Sequence, residues 1–164
     1  MGEQTWYRGN IHTHTTKSDG DAAPEKVVEW YKNHQYDFLV LSDHNHLTIL
    51  DYGAKQTGAS GVLMIPGEEV TVRVPEGNIP VHLNALGITR FVEPTIVEDV
   101  AKTIQTNIDA ILDAGGIACI NHPNWEWAFD HEAILQTNGA SLMEIFNASV
   151  GTHNYPIPVP ELFS

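Results

Sequence analysis

Cysteine and positive charge are both scarce in this sequence, and each shortage removes a class of function. The one thiol, Cys119, sits in the apolar run Ile117-Ala118-Cys119-Ile120, so neither an internal disulfide nor a thiolate cage for structural zinc can be built. It reads as a small buried hydrophobe. Eight Lys and Arg stand against 21 Asp and Glu, a formal net charge of −13. Gripping a long nucleic-acid backbone requires many phosphates to be neutralised, which so acidic a chain is poorly equipped to do. No apolar run approaches the roughly 20 residues that span a bilayer. The first residues carry neither the basic flank nor the apolar stretch of a secretory signal, and Trp6 stands where a myristoylation signal needs Ser or Thr. A cytoplasmic protein without membrane contact is the expectation. There is also no G-x-S-x-G, no G-x-x-x-x-G-K-[ST] and no G-x-G-x-x-G after a strand, which removes nucleophilic-serine, nucleotide-loop and dinucleotide-binding chemistry.

What is present is an ordinary apolar content of 42% over 164 residues, enough for one core. Strand-like and helix-like segments alternate, the pattern of an α/β fold with a largely parallel sheet. The spacing predicts a strand over 7–14, then a polar loop to Ala23. A helix follows from Pro24 to about Gln35, with Val27, Trp30, Tyr31 and His34 on one stripe. A short buried-type strand over 37–42 completes a βαβ unit. A weaker helix is expected over 47–56, closed by Gly58 and Gly61, then a strand over 62–65 that ends at Pro66-Gly67-Glu68-Glu69. Turn residues Pro75, Gly77, Asn78 and Pro80 precede a strand over 81–88. The clearest helix is expected to start at Pro94 with a Thr95-x-x-Glu98 capping box and to stop at Gly115-Gly116. Strands over 117–120 and 142–146 flank a short helix over 131–136. Pro156, Pro158 and Pro160 then exclude further regular structure from a proline-rich tail over 148–164.

Chemistry gathers at strand ends. His12 and His14 lie two residues apart, so on a strand both imidazoles project from one face. Asp43, His44, Glu69 and His122 also fall at or just past predicted strand ends, and His82 falls early in a strand. In parallel sheets and barrels that edge is where sites assemble from successive loops. A single histidine there is usually a structural residue, but several in succession with carboxylates beside them read as metal ligands. Asp19 either joins them or caps the loop into the Pro24 helix. Asp43 reads as a partner that orients a histidine through its free ring nitrogen. Of the neighbours Glu68 and Glu69, one faces the site and the other faces solvent or a partner. His34, His46, His131 and His153 read as structural or solvated. Carboxylates mixed with imidazoles, without thiolates, fit Zn, Mn or Fe. The set is large enough for two or three divalent ions. Paired ions lower the pKa of a bridging water towards about 7 and clamp the oxygens of a displacement, which suits phosphoester hydrolysis.

Six blocks give the pattern a family likeness: His12-Thr13-His14-Thr15 with Ser18-Asp19-Gly20; Ser42-Asp43-His44-Asn45; Pro66-Gly67-Glu68-Glu69; His82-Leu83-Asn84-Ala85-Leu86-Gly87; Asn121-His122-Pro123; and Glu144-Ile145-Phe146-Asn147. In these blocks and their order the chain resembles the polymerase and histidinol phosphatase (PHP) family of metal-dependent phosphoesterases. The resemblance implies a distorted (β/α)7 barrel with a dinuclear or trinuclear site in its mouth. By position, His12, His14 and Glu69 would hold one ion, and Asp19 and His44 a second. Glu69 would bridge to a third completed by His82 and His122, the G-x-E spacing favouring Glu69 over Glu68. The opening Trp6-Tyr7-Arg8-Gly9-Asn10 is similar to a branch that includes carbamate-ester hydrolases.

Family members also carry a later Asp-x-His pair that supplies two more ligands, and no such pair occurs in these 164 residues. The expectation is therefore one domain over 1–164, the N-terminal portion of a barrel incomplete at its C-terminus, with a missing segment, an oligomeric partner, water or His153 filling the gap. The expected activity is hydrolysis of a small anionic phosphomonoester or short nucleotide by a metal-bound hydroxide, with Lys17 and Arg73 as candidate anion contacts. The alternatives are carbamate or carboxylic ester hydrolysis at the same site, or a metal-binding fragment without catalysis.

Overall fold

The computed structural model describes residues 5–50, 61–150 and 152–154. Along these the elements run β1 (Gly9–Asn10), α1 (Pro24–Asn33), β2 (Phe38–Val40), β3 (Leu63–Ile65), β4 (Gly67–Val74), β5 (Ile79–Leu86), α2 (Val100–Asp113), β6 (Ile117–Ile120), α3 (His131–Leu135) and β7 (Leu142–Met143). A 3-10 turn, Glu76–Asn78, joins β4 to β5. No helix among the described residues is long and apolar enough to cross a membrane.

The α/β class is as expected, but the sheet is neither single nor largely parallel. Strands β1, β2 and β3 form a parallel sheet in that order, while β4, β5, β6 and β7 form a second. In the second sheet β5 is antiparallel to both β4 and β6, and only β7 runs parallel to its neighbour β6. The difference originates after β3, where the expected strand end at Glu69 is instead the beginning of β4. Val70, Val72 and Val74 alternate with Glu69, Thr71 and Arg73, a half-buried strand pattern, and the turn after Val74 returns the chain as an antiparallel hairpin.

The helices also shift. In α1, Pro24 occupies the first turn as expected, but Val28 rather than Trp30 is the buried apolar position, and exposed Trp30 and His34 stack on each other at 3.8 Å. The α2 helix begins at Val100, capped by Asp99, whose carboxylate accepts from the Lys102 amide at 2.8 Å. Pro94 does not start it. Asn107 of α2 donates to the Thr95 carbonyl and accepts from the Thr95 amide, which holds 94–97 extended along the helix instead of within it. The helix candidate over 47–56 shows no helix at 47–50, and its remainder with Gly58 lies outside the described residues, as do Pro156, Pro158 and Pro160.

The larger core lies between one face of the β4–β5 hairpin and α2, where Val70, Val72, Val81 and Leu83 meet Ile104, Ile108 and Ile111. Burying such side chains contributes about 1.5–3 kcal/mol each. A second cluster joins Val28 of α1 to Leu39, Leu41 and Val62. A third, of Val40, Leu86 and Cys119, spans the two sheets. A backbone bridge also ties the sheets: the Glu69 amide donates to the Asp43 carbonyl at 3.1 Å and the Asn45 amide to the Glu69 carbonyl at 2.9 Å. Gly67 permits that approach, since a Cβ there would lie 2.5 Å from Val40 Cγ1 and 2.7 Å from the Ala85 carbonyl oxygen. The two sheets do not close into a barrel among the described residues.

Candidate metal centre

Strand alternation builds the floor of the site. With Val70 and Val72 turned to the core, Glu69 and Thr71 face the other way, opposite Asn84 and His82 in the hairpin register. The Asn84 amide donates to the Ile11 carbonyl at 2.9 Å and so fixes the segment that carries His12 and His14. That segment pairs with the end of β2 through Thr13 and Ser42, while His44 follows two residues beyond Ser42. Asn121 and His122 come directly after β6. Gly20 allows the loop to fold back over His14, because a Cβ there would sit 2.6 Å from the His14 carbonyl.

These elements converge on Glu69, whose side chain is 0% exposed. Its Oε2 lies 3.4 Å from His12 Nε2, 3.2 Å from His14 Nε2 and 3.1 Å from His44 Nδ1. Its Oε1 lies 3.3 Å from His82 Nδ1, 3.4 Å from His122 Nε2 and 2.8 Å from the Asn121 amide that donates to it. Asp19 reaches His14 Nδ1 at 3.3 Å and His44 Nε2 at 3.6 Å. Despite these neighbours, Glu69 Oε2 and His82 Nδ1 are buried without a hydrogen-bond partner of good geometry. Buried polar atoms left this way are costly, and nitrogen and oxygen lone pairs converging on one point are the donor set of a divalent cation. Mutually close donor atoms occur in the sets His12, His14 and Glu69; His14, Asp19 and His44; His44, Glu69 and His82; and His12, His122 and Glu144.

The electrostatics follow from burial and from the company each group keeps. Burial alone would raise the Glu69 carboxyl, but the imidazoles of His12, His122, His14 and His82 that face it hold it well below the usual carboxylate range. For His12, burial acts downward, yet Glu144 and Glu69 together push it up to about 9. His44 is lowered, chiefly by burial. Glu68 illustrates the opposite environment. It is fully buried on the core side of β4, against a partner and not in solvent, because alternation turns it away from Glu69. Burial pushes it up to about 7, against the Val92 amide that donates to its Oε1 at 2.6 Å.

All the sequence-predicted ligands, His12, His14, Asp19, His44, Glu69, His82 and His122, line one cavity of about 590 Å³. Two of them sit differently along their strands than expected: Glu69 is near the start of β4 and His82 is in the body of β5. The Asp43 carboxylate hydrogen-bonds to Thr15, Ser18 and Thr48 and not to a histidine ring among the described residues. Burial would raise its carboxyl, but it is lowered by hydrogen bonds from the Thr48 hydroxyl, from the amide and hydroxyl of Thr15 and from the Ser18 hydroxyl, so it pins the loop that carries His14. Lys17 is exposed and Arg73 is paired with Glu126 at 3.2 Å; neither lines the cavity. His34, His46, His131 and His153 lie outside it.

Sequence reasoning left Glu144 out of the site. It follows β7, accepts from the His122 amide at 3.2 Å, and lies 3.2 Å from His12 Nδ1, the ring nitrogen turned away from Glu69. Its block had been recognised, but nothing in a lone Glu after a short apolar run points to a histidine 132 positions away.

No family model matches the chain. A 3′,5′-nucleoside bisphosphate phosphatase from Chromobacterium violaceum is 27% identical over 137 residues, 80% of this chain and 47% of the relative, so the chain spans about half the length of that curated protein. A Bifidobacterium adolescentis structure assigned as a metal-dependent phosphoesterase superposes with a TM-score of 0.65 at 16% identity, covering 92% of this chain and 80% of that one. A two-domain protein from Bacteroides vulgatus, assigned as containing a PHP-like metal-dependent phosphoesterase, gives 0.56 at 20% identity over 79% of this chain and 40% of that one. An amidohydrolase from Chromobacterium violaceum with bound sulfate gives 0.52 at 19% identity, over 71% and 67% of the two chains. The chain shares its fold with these solved proteins, while the closure of the (β/α)7 barrel that the resemblance implied is not seen among the described residues.

Proposed function

We propose that this chain is a metal-dependent phosphoester hydrolase, a single PHP-like domain acting on a small phosphomonoester or short nucleotide. Glu69 carries the reading: a fully buried carboxylate, ringed by imidazoles, with an oxygen that no protein donor satisfies. A divalent cation is the partner such a donor set fits. His12, His14 and Glu69 would hold one ion, Asp19 and His44 a second, and Glu69, His82 and His122 a third, with Zn, Mn or Fe suited to these ligands. When bound, such ions supply Lewis acidity to phosphoryl oxygens and make water more acidic. The protein's own groups prepare the site. Glu144 would hold a proton on His12 Nδ1 once an ion is bound, leaving Nε2, the nitrogen that faces Glu69 and His14, to the ion. Asp43 holds the loop bearing His14, and Asn121 steadies Glu69 by donating to Oε1.

The names of the curated relative and of two structural neighbours support a phosphoester over a carbamate. The distorted barrel belongs to the same proposal, supported by the parallel β1-β2-β3 sheet and its bridge to β4. The test is elemental analysis of the purified chain together with hydrolysis of an aryl phosphate and an aryl carbamate. At least one bound metal per chain is expected, with phosphatase turnover that falls about a hundredfold or more in His14→Ala and His44→Ala, at least the scale seen when a metal site loses support. Substoichiometric metal and no turnover after Zn, Mn or Fe addition would overturn the proposal in favour of a non-catalytic module.

A further inference from the structure

The cavity over the metal centre is short of one kind of group. Among the described residues its lining contains no Lys or Arg, and Arg73, the nearest sequence candidate, is committed to Glu126 and the Asn78 carbonyl. A phosphomonoester brings close to two negative charges and several strong acceptor oxygens. Arginine is the usual bidentate partner for such a group. Among the described residues the wall offers neutral donors to the oxygens that face away from the metal ligands, and Tyr31 is the wall donor whose hydrogen bonding can be worked out.

The argument starts at Asn10. Its Oδ1 accepts from the His12 backbone amide at 2.9 Å, which fixes the orientation of the carboxamide. The NH2 end therefore faces Tyr31 and donates to the phenolic oxygen. Thr13 Oγ1 lies 3.3 Å from the same oxygen and can donate to it as well. With donors arriving from Asn10 and Thr13, the phenol acts as acceptor towards the protein and its own proton is left for the cavity that it lines. The ring is held in place. Trp30 and Tyr36 meet it edge to face at centroid distances of 5.0 and 4.7 Å, and its body packs against the cluster of Val28, Leu39, Leu41 and Val62. A donor so fixed loses little freedom when a ligand arrives.

Resting on the phosphoester reading above, we infer that Tyr31 is a substrate-contacting residue whose phenolic O–H donates to a non-bridging oxygen of the substrate phosphoryl group. Its position on α1 also explains why a residue on the predicted apolar stripe of a helix carries a hydroxyl at all.

The test uses the metal-loaded protein, titrated calorimetrically with inorganic phosphate and assayed on p-nitrophenyl phosphate. Tyr31→Phe keeps the ring and removes only the hydroxyl, and Tyr36→Phe is the packing control, since the Tyr36 hydroxyl faces Arg8. The expected result is unchanged metal content and melting temperature in both variants. Phosphate affinity and kcat/KM fall about tenfold to a hundredfold in Tyr31→Phe alone, the range of a hydrogen bond to a charged group. Wild-type phosphate affinity in Tyr31→Phe would overturn the inference, and so would loss of metal or melting temperature, which would make Tyr31 a structural residue. If the metal-loaded wild type neither binds phosphate nor turns over the aryl ester, the phosphoester reading itself falls.

Discussion

Glu69 and Glu144 divide the labour at the residue scale: one carboxylate gathers the imidazoles and the other steers one of them. Glu144→Gln preserves shape but removes the charge beside His12 Nδ1, so we expect metal affinity to fall about tenfold to a hundredfold, measured by chelator competition, with the fold intact by circular dichroism. The candidate histidines could be picked out of the sequence because chemistry of that kind is written in residue type and spacing. Glu144 could not, because its meaning depends on a contact that joins the last strand to the first. Cys119 is a quieter case. Burial between the sheets pushes its thiol up to about 11, so the thiolate is scarce at neutral pH. An aromatic disulfide reagent should label it at pH 8 only after denaturant is added. The same shift has a stability sign: the unfolded thiol loses its proton near its ordinary value of 9.0, before the folded one does, so this group leaves stability flat below that pH and lowers it as pH rises towards 11.

Among the elements, the β4–β5 hairpin organises the rest. Its valine face makes the core with α2, and its polar face carries Glu69, Thr71, His82 and Asn84 into the site, so one strand register serves both stability and chemistry. The alternation of Val70, Val72 and Val74 was present in the sequence, but Pro66-Gly67 before a pair of acids resembles a turn, and only the pairing with β5 makes Glu68 and Glu69 strand residues. Similarly, Thr95-x-x-Glu98 has the pattern of a helix start, while Asn107 and Thr103 hold that segment outside α2 and leave the capping to Asp99. Because β4 approaches β2 through the absent side chain of Gly67, Gly67→Ala should overpack that junction. A loss of about 1–3 kcal/mol in urea unfolding is expected, with reduced metal binding as Glu69 is displaced along with its strand.

For the whole molecule, the charge of −13 and the metal centre belong together. Each divalent ion would remove two units of negative charge and bind only the folded arrangement of ligands, so metal and folding are linked. At an ion concentration about a hundredfold above its Kd, the stabilisation is about 2.7 kcal/mol. Stripping the metal with a chelator should lower the calorimetric melting temperature by about 5–10 °C, with recovery on adding Zn or Mn and none on adding monovalent salt of equal ionic strength. The sequence by itself determined the α/β class, the donor chemistry and the identity of the histidines, because residue type and short-range spacing are local properties. The tertiary structure decided that the described strands form two sheets, that Glu68 is buried on the core side, that Lys17 and Arg73 stand apart from the cavity, and that Glu144 and Tyr31 line it. Those outcomes depend on which strand pairs with which and on which face packs against the core, and such choices are settled only when distant segments meet.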